Sequence, residues 1–346
     1  MSEVGIANYN RTKGNKMNRK RIISNFLLLL TAFIWGVAFV AQSVSMDYVG
    51  PCTFAFSRFL IGGIVLIPVI LVMDHNKKKQ CGTDNYIDER CKKILTEKGN
   101  TPEKEIVKKA KREQRKLTLV AGVCCGMALG TASLAQQYGI VYTSVGKAGF
   151  ITTLYIIIVP FLGLFVGKKV HLKVWISAFI AAVGLYLICM AETLSISLGD
   201  ALVLLCAFIF SIQILLVDYF SPKADPVKIS CIQFLTSAVI AGIGALLFET
   251  PSWSDIMAAA APILYAGVMS SGVAYTLQVV AQRNTDPTIA SLIMSLESVI
   301  ATLAGWVLLG QHLSMKELFG CALVFAAVIL TQLPDRKSDT IVEQQN

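Results

Sequence analysis

Ten long apolar runs restrict what this sequence can fold into. Each run is about 20 residues long, the length that an α-helix needs to cross the hydrocarbon core of a bilayer. Only 15% of the residues are charged, against about 25% in an average soluble domain. The sequence therefore predicts an all-α, polytopic membrane protein with ten transmembrane helices. We place these spans at 22–46, 50–73, 117–137, 144–167, 171–191, 198–220, 226–248, 257–281, 287–310 and 313–333.

The basic residues fall almost entirely on one side of these spans. If the N-terminal tail (1–21) is cytoplasmic, 28 of the 31 Lys and Arg lie on that side and only Lys316 lies opposite. Basic residues that flank spans mark the cytoplasmic face. We therefore expect a plasma (inner) membrane protein with both tails, 1–21 and 334–346, in the cytoplasm. The net charge of +9 reflects this topology, and we expect no nucleic-acid partner.

The two halves of the chain resemble each other. Each half, 22–191 and 198–333, contains five spans, so the second crosses the membrane upside down relative to the first. The offset between matches falls by about 30 residues after the first half's basic loop (74–116), as an insertion there requires. Inverted repeats are typical of secondary transporters, whose substrate site lies near the midplane between the halves. The alternative is chance similarity between apolar segments. The matches are Ala32-Phe33-Ile34, Pro51 and Phe59-Leu60 at an offset of 175, Ala121-Gly122-Val123 at 145 and Gly167 at 143.

Three ionisable residues lie well inside spans, where an unpaired charge costs several kcal/mol and usually has a function. Glu297 lies ten residues after Pro287, about 15 Å deep at 1.5 Å per residue. We expect it to bind substrate or a proton, and structural pairing is the alternative. Arg58 lies about 10 Å deep by the same rise, and pairing and substrate binding are both open. Lys147 lies near a span end and can extend its amine to the interface.

Uncharged polar and aromatic residues inside spans extend the set of candidate cavity residues. Amides within a membrane need partners, so they should face other helices or a wet cavity. Hydrogen bonding between helices is the alternative role for each. Gln233 occupies the repeat position of Arg58, and Phe210 that of Trp35. The candidates are Trp35, Gln42, Gln136, Tyr155, Gln213, Gln233, Tyr275 and Gln278.

Other motifs indicate packing or topology. Gly122, Gly126 and Gly130 share one helix face, where small residues allow close helix packing in lipid. The stretch from Glu103 to Lys116 is predicted to be a helix that continues into the third span. The sequence contains no metalloprotease, nucleotide-binding or serine-hydrolase motif, so we expect no catalytic residue, metal or cofactor and no enzyme activity.

Four segments in order resemble the EamA-type transporters of the drug/metabolite transporter superfamily: AFIWGVAFVAQ (32–42), FAFSRFL (54–60), GKAGFITTLYIIIVP (146–160) and SLESVIATLAGWVLLG (295–310). The resemblance implies a ten-helix bundle that exports or exchanges small metabolites through a central cavity lined by both halves. It carries over to Trp35, Arg58, Lys147 and Glu297. Ser298 stands where such proteins usually have the Pro that kinks the ninth span, and Gln311 where they usually have Glu.

The sequence thus predicts a secondary transporter of amino-acid-like or other small organic solutes that works by alternating access. Its expected partners are a small-molecule substrate, the lipid bilayer, and a proton or counter-substrate. Substrate identity, direction and oligomeric state stay open. Two alternatives are an intramembrane enzyme acting on a lipid or isoprenoid with Glu297 and Asp218, and a non-transporting receptor or scaffold that acts through the 74–116 loop.

Overall fold

The computed structural model describes residues 3–80, 103–143, 145–168, 170–189, 197–309 and 314–333, and every regular element within these ranges is helical. The C-terminal tail, Gln311 and residues 81–102 of the basic loop lie outside them. The first half contains six helices: α1 (Glu3–Ser45), α2 (Pro51–Gln80), α3 (Glu103–Tyr142), α4 (Val145–Thr153), α5 (Tyr155–Phe165) and α6 (Leu172–Cys189).

The second half repeats this order with an additional irregularity in its third span. Its elements are α7 (Leu198–Phe220), α8 (Pro226–Phe248), α9 (Trp253–Ala258), α10 (Ala260–Leu264), a π-helix (Tyr265–Tyr275), α11 (Thr276–Gln282), α12 (Pro287–Met294), α13 (Leu296–Leu309) and α14 (Met315–Gln332).

The helix lengths confirm a multi-pass membrane protein. In the described ranges, nine helical segments are long and apolar enough to cross a bilayer, and α6 is apolar but shorter. Nine of the ten predicted spans therefore meet the length criterion, and the tenth stays a prediction. The predicted helix from Glu103 to Lys116 is confirmed, since α3 runs without a break from Glu103 into its span.

Local chemistry fixes where the helices begin. At the start of α8, the Asp225 carboxylate accepts hydrogen bonds from the Val227 and Lys228 amides, and Pro226 occupies the first helical position, where its missing N–H has no cost. At the start of α7, Ser197 and Asp200 form a reciprocal capping box, which satisfies amides that the helix itself leaves without partners.

The fourth and ninth spans are interrupted near their middles, which the sequence did not predict. The fourth divides at Leu154 between α4 and α5, and the ninth at Ser295 between α12 and α13. At Ser295 the hydroxyl donates to the Leu292 carbonyl at 2.7 Å, and such back-bonding by serine bends helices. The ninth span is therefore irregular although Ser298 replaces the proline.

The two halves meet along the antiparallel pair α2 and α8. Phe59 and Phe234, which are 175 residues apart, stack with ring centroids 6.3 Å apart and planes 12° apart. The helices α6 and α14 also pack through a pair of mutual contacts, in which each glycine lies against the carbonyl of the other. A Cβ added at Gly184 would lie 2.7 Å from the Gly320 carbonyl oxygen, and one added at Gly320 would lie 2.5 Å from that of Gly184. These self-reciprocal contacts support a twofold relation between the halves.

The close contacts also indicate how the third and eighth spans correspond. A Cβ added at Gly126 would lie 2.7 Å from the carbonyl oxygen of Gln233, and one added at Gly267 would lie 3.2 Å from that of Arg58. Gln233 and Arg58 are themselves 175 residues apart. These contacts favour pairing Gly267 with Gly126, at an offset of 141, over the pairing with Gly122 that the sequence suggested.

The three glycines of α3 all face α8. Gly122 lies against Ile232, Gly126 against Thr236 and Gly130 against Ser237. The Ser237 hydroxyl also donates to the Gly126 carbonyl at 2.9 Å. Without side chains at these three positions the two backbones approach closely, as small residues permit in lipid.

The bundle begins and ends at the same side of the molecule. The Asn25 amide of α1 donates to the side-chain oxygen of Gln332, the last residue of α14, at 2.6 Å. A chain that crosses a membrane an even number of times has both ends on the same side. The contact therefore agrees with α6 acting as a tenth span.

Candidate functional site

A small cavity lies in the middle of the bundle and is lined by both halves. Its volume is about 40 Å³. Nine of the eleven candidate residues named from the sequence line it. These are Trp35, Gln42, Arg58, Gln136, Tyr155, Gln213, Tyr275, Gln278 and Glu297.

Glu297 lies just after the interruption of the ninth span and is 6% exposed. Its Oε1 accepts a hydrogen bond of 3.0 Å from the hydroxyl of Tyr155, the first residue after the interruption of the fourth span. Next to this pair, the hydroxyls of Thr153 and Ser298 are 3.0 Å apart. The two interrupted spans therefore touch at the carboxylate, and discontinuous helices at corresponding positions of two halves typically form transporter binding sites.

Arg58 brings a positive charge to the same cavity from α2. It is 2% exposed, and its guanidinium carbon lies 4.6 Å from the centre of the Phe59 ring and 5.4 Å from that of Phe54. Its Nη1 donates a long, 3.4 Å hydrogen bond to Gln42, while Nε and Nη2 have no hydrogen-bond partner among the described residues. Contact with aromatic faces stabilises a cation but leaves these donors available.

Arg58 and Glu297 share the cavity without forming an ion pair. The described ion pairs are instead near helix ends: Lys168 with Asp218 at 2.5 Å, and Lys228 with Asp74 at 2.8 Å. A buried ionisable group without an ionic partner is costly, so a guanidinium and a carboxyl group that face one cavity without pairing form a site for a ligand that complements both.

The π-helix contributes Ser270 and Tyr275 to the cavity lining. The indole Nε1 of Trp35 donates to the Ser270 carbonyl at 3.3 Å, and the Trp35 ring lies 4.4 Å from that of Tyr275 at 57°. A second residue of α1, Thr31, donates to the Ala274 carbonyl at 3.2 Å. π-helices are rare and often occur at functional sites. Here the backbone carbonyls of the π-helix accept hydrogen bonds from side chains of α1 beside the cavity.

Amide side chains complete the lining with unused hydrogen-bonding atoms. Gln278 donates to Gln213 at 3.4 Å, and Gln136 donates to Thr152 at 3.2 Å. The Gln213 amide nitrogen and the Gln278 amide oxygen are buried without a partner among the described residues. Buried polar atoms normally have partners, so these atoms are available to a polar ligand or to water.

The remaining sequence candidates lie elsewhere. Gln233 is fully buried on α8 outside the cavity lining, with neither amide atom partnered in the described structure. Lys147 lies on α4, but its side chain is outside the described residues. Asp218, which the enzyme alternative needs near Glu297, pairs with Lys168 at a helix end and does not line the cavity.

Sequence reasoning missed six lining residues. Phe210 had a signal, since it occupies the repeat position of Trp35. Ser270 had none, because its place in the lining depends on the π-helix. The others are apolar residues or a hydroxyl within ordinary helices. The six are Phe39, Thr152, Phe210, Ile214, Ser270 and Met294.

A model of one protein family matches both halves of the chain. The family model described as "EamA-like transporter family" matches residues 22–86, 104–190 and 197–333. The chain belongs to the EamA-like transporter family. The matched segments leave out both tails, as the sequence resemblance predicted, but they omit only the middle of the basic loop (87–103) and not the whole of 74–116.

Two further similarities agree with EamA membership. An uncharacterized transporter of Archaeoglobus fulgidus is 25% identical over 328 residues, covering 93% of this chain and 90% of the relative. A protein of known crystal structure superposes with a TM-score of 0.66 at 17% identity, covering 89% of this chain and 96% of that one. The second similarity concerns the fold alone. This EamA-like chain is therefore a polytopic membrane protein of a transporter family.

Proposed function

We propose that this EamA-like protein is a secondary transporter that exports or exchanges small solutes carrying both a carboxylate and an amine, as amino acids do. The observation that carries the proposal is that buried Arg58 and Glu297 line one cavity without pairing. The carboxylate of a zwitterion can accept bidentate hydrogen bonds from the Arg58 guanidinium. Its ammonium group can bind to the carboxyl group of Glu297.

The size of the cavity supports transport by alternating access. The cavity volume of about 40 Å³ is room for a few water molecules, so we expect the helices to move apart when an amino acid enters. Separation first at one end and then at the other moves solute without opening a continuous pore.

The proposal includes the repeat organisation and topology. The halves 22–191 and 198–333 act as inverted repeats, with both tails in the cytoplasm and the protein in the plasma membrane. The reciprocal Phe59–Phe234 contact supports the repeat, and the distribution of Lys and Arg supports the orientation. A proton gradient or a counter-substrate supplies the driving force.

A counterflow assay tests the proposal. Purified protein in liposomes loaded with an unlabelled mixture of the twenty amino acids should accumulate at least one radiolabelled amino acid from outside. Arg58→Gln and Glu297→Gln should each abolish accumulation. Glu317→Gln is the matched control, because Glu317 is a carboxylate in the capping box of α14, away from the cavity.

Two outcomes contradict the proposal. One is counterflow of no amino acid by the native protein, with fluxes equal to those of empty liposomes. The other is full counterflow by both cavity variants. Repeating the assay with an imposed pH gradient separates the driving forces, because proton coupling predicts uphill accumulation and pure exchange predicts none.

A further inference from the structure

The central helices α2 and α8 are fastened to each other at both ends by carboxylates. At one end, here called end A, Glu249 follows α8 and reaches the first turn of α2. Its Oε1 accepts from the Cys52 amide at 2.7 Å, and its Oε2 accepts from the Thr53 amide at 2.8 Å and the Thr53 hydroxyl at 2.6 Å. We call this contact latch A.

At the opposite end, end B, Asp74 of α2 reaches the first turn of α8. Its Oδ2 lies 2.8 Å from Nζ of Lys228, and we call this contact latch B. Asp74 and Glu249 are 175 residues apart, and so are Thr53 and Lys228. The two latches are therefore repeat-related, although one is an ion pair and the other is a set of hydrogen bonds to a helix N-terminus.

The chain is built to allow the close approach in latch A. A Cβ added at Gly50 would lie 2.5 Å and 2.6 Å from the two carboxylate oxygens of Glu249. The glycine before Pro51 thus leaves the space that the carboxylate occupies. The positive end of the α2 helix dipole adds to the attraction for a carboxylate at this position.

We propose that latches A and B are the two gates of the transport cycle, each released when the cavity opens to its own end. The inference rests on the proposed alternating access. Both latches are closed in this structure, which agrees with its small cavity.

The two gates differ in strength. Latch A joins one carboxylate to three donors, and hydrogen bonds to charged groups are the stronger kind. Latch B is an ion pair whose side chains are 37% and 40% exposed, and exposed pairs stabilise little. The native protein should therefore open more often to end B, which is the cytoplasmic end in the proposed topology and the end from which an exporter loads.

Accessibility of a cavity cysteine tests the gates without a known substrate. The reporter is Ser270→Cys, which lines the cavity, and the probe is a membrane-impermeant methanethiosulfonate. It is applied to right-side-out and to inside-out vesicles, with the same protein lacking the reporter as background. Glu249→Gln should raise labelling from end A by about tenfold or more. Asp74→Asn should raise labelling from end B by about twofold to fivefold. Glu317→Gln should change neither.

Milder variants keep the test decisive if Glu249→Gln fails to fold. Thr53→Val removes one donor of latch A and should shift labelling toward end A, whereas Thr53→Ser keeps the hydroxyl and should not. The gate assignment is overturned if the Glu249 and Asp74 variants favour the same end, or if all label like Glu317→Gln. If the reporter reacts from only one side in every variant, alternating access and with it the proposed function fails instead.

Discussion

Tyr155 donates its hydroxyl to Oε1 of Glu297 across 3.0 Å, and this bond joins the two interrupted spans at the centre of the protein. The two residues are 142 positions apart and belong to different halves. A movement that separates the halves changes this contact directly, so we propose that Tyr155 positions the carboxyl group of Glu297.

Tyr155→Phe should lower the rate of amino-acid counterflow by about tenfold, because a hydrogen bond to a charged group contributes about 1.5–3 kcal/mol. The apparent affinity should weaken less for substrates that lack an amine than for zwitterions. Tyr142→Phe is the matched control, since Tyr142 is 57% exposed at the end of α3. Unchanged flux in Tyr155→Phe would show that the hydroxyl does not position Glu297.

Arg58→Met should raise thermal stability while it abolishes counterflow. The native guanidinium is buried with two unused nitrogens, and replacing buried charge with a packed apolar side chain is often neutral or stabilising by about 1–4 kcal/mol. Melting of detergent-solubilised protein, followed by size-exclusion fluorescence, measures the change. A clearly lower melting temperature would mean that Arg58 holds the bundle together instead of serving a ligand.

Gln233→Leu should also raise the melting temperature, but with counterflow kept. Its amide is fully buried, has no partner among the described residues and lies outside the cavity lining. The substitution removes a buried amide nitrogen and oxygen that have no partners, and so relieves a desolvation cost of about 1–3 kcal/mol. Loss of flux in this variant would assign Gln233 to the transport path, as the sequence analysis first proposed.

Gly126→Ala should destabilise the bundle by about 1–3 kcal/mol, the usual cost of overpacking. The added methyl would lie 2.6 Å from the Thr236 Cβ and 2.7 Å from a backbone carbonyl of α8, so the helices must move apart. Gly149→Ala is the control, because a Cβ there meets no atom within 4 Å. Equal melting temperatures for the two variants would contradict the packing described for α3.

The fold was largely predictable because lipid imposes a length on every span. Apolar runs such as 198–220 and 226–248 coincide with α7 and α8, since charged and capping residues end them on both sides. The same logic fails for the eighth span. Its π-helix has no counterpart in the hydropathy pattern, because a change of hydrogen-bond register leaves composition unchanged.

The site was predictable where depth alone decides, as for Glu297 and Arg58, whose charges stand out in an apolar run. It was not predictable where contacts between distant segments decide. Latch A joins residues almost 200 positions apart, and Glu249 read from the sequence is only a loop residue after a span. Gln233 shows the opposite failure, because repeat equivalence to Arg58 did not place it in the cavity lining.

The stacked rings of Phe59 and Phe234 have a mechanical consequence. In the proposed inverted repeat, repeat-related residues that touch lie on either side of the rotation axis that relates the two halves, so they move little when the halves exchange environments. We therefore expect the halves to rock about these two rings. A smaller or larger ring there should slow inward and outward turnover alike, in contrast to a change at either gate.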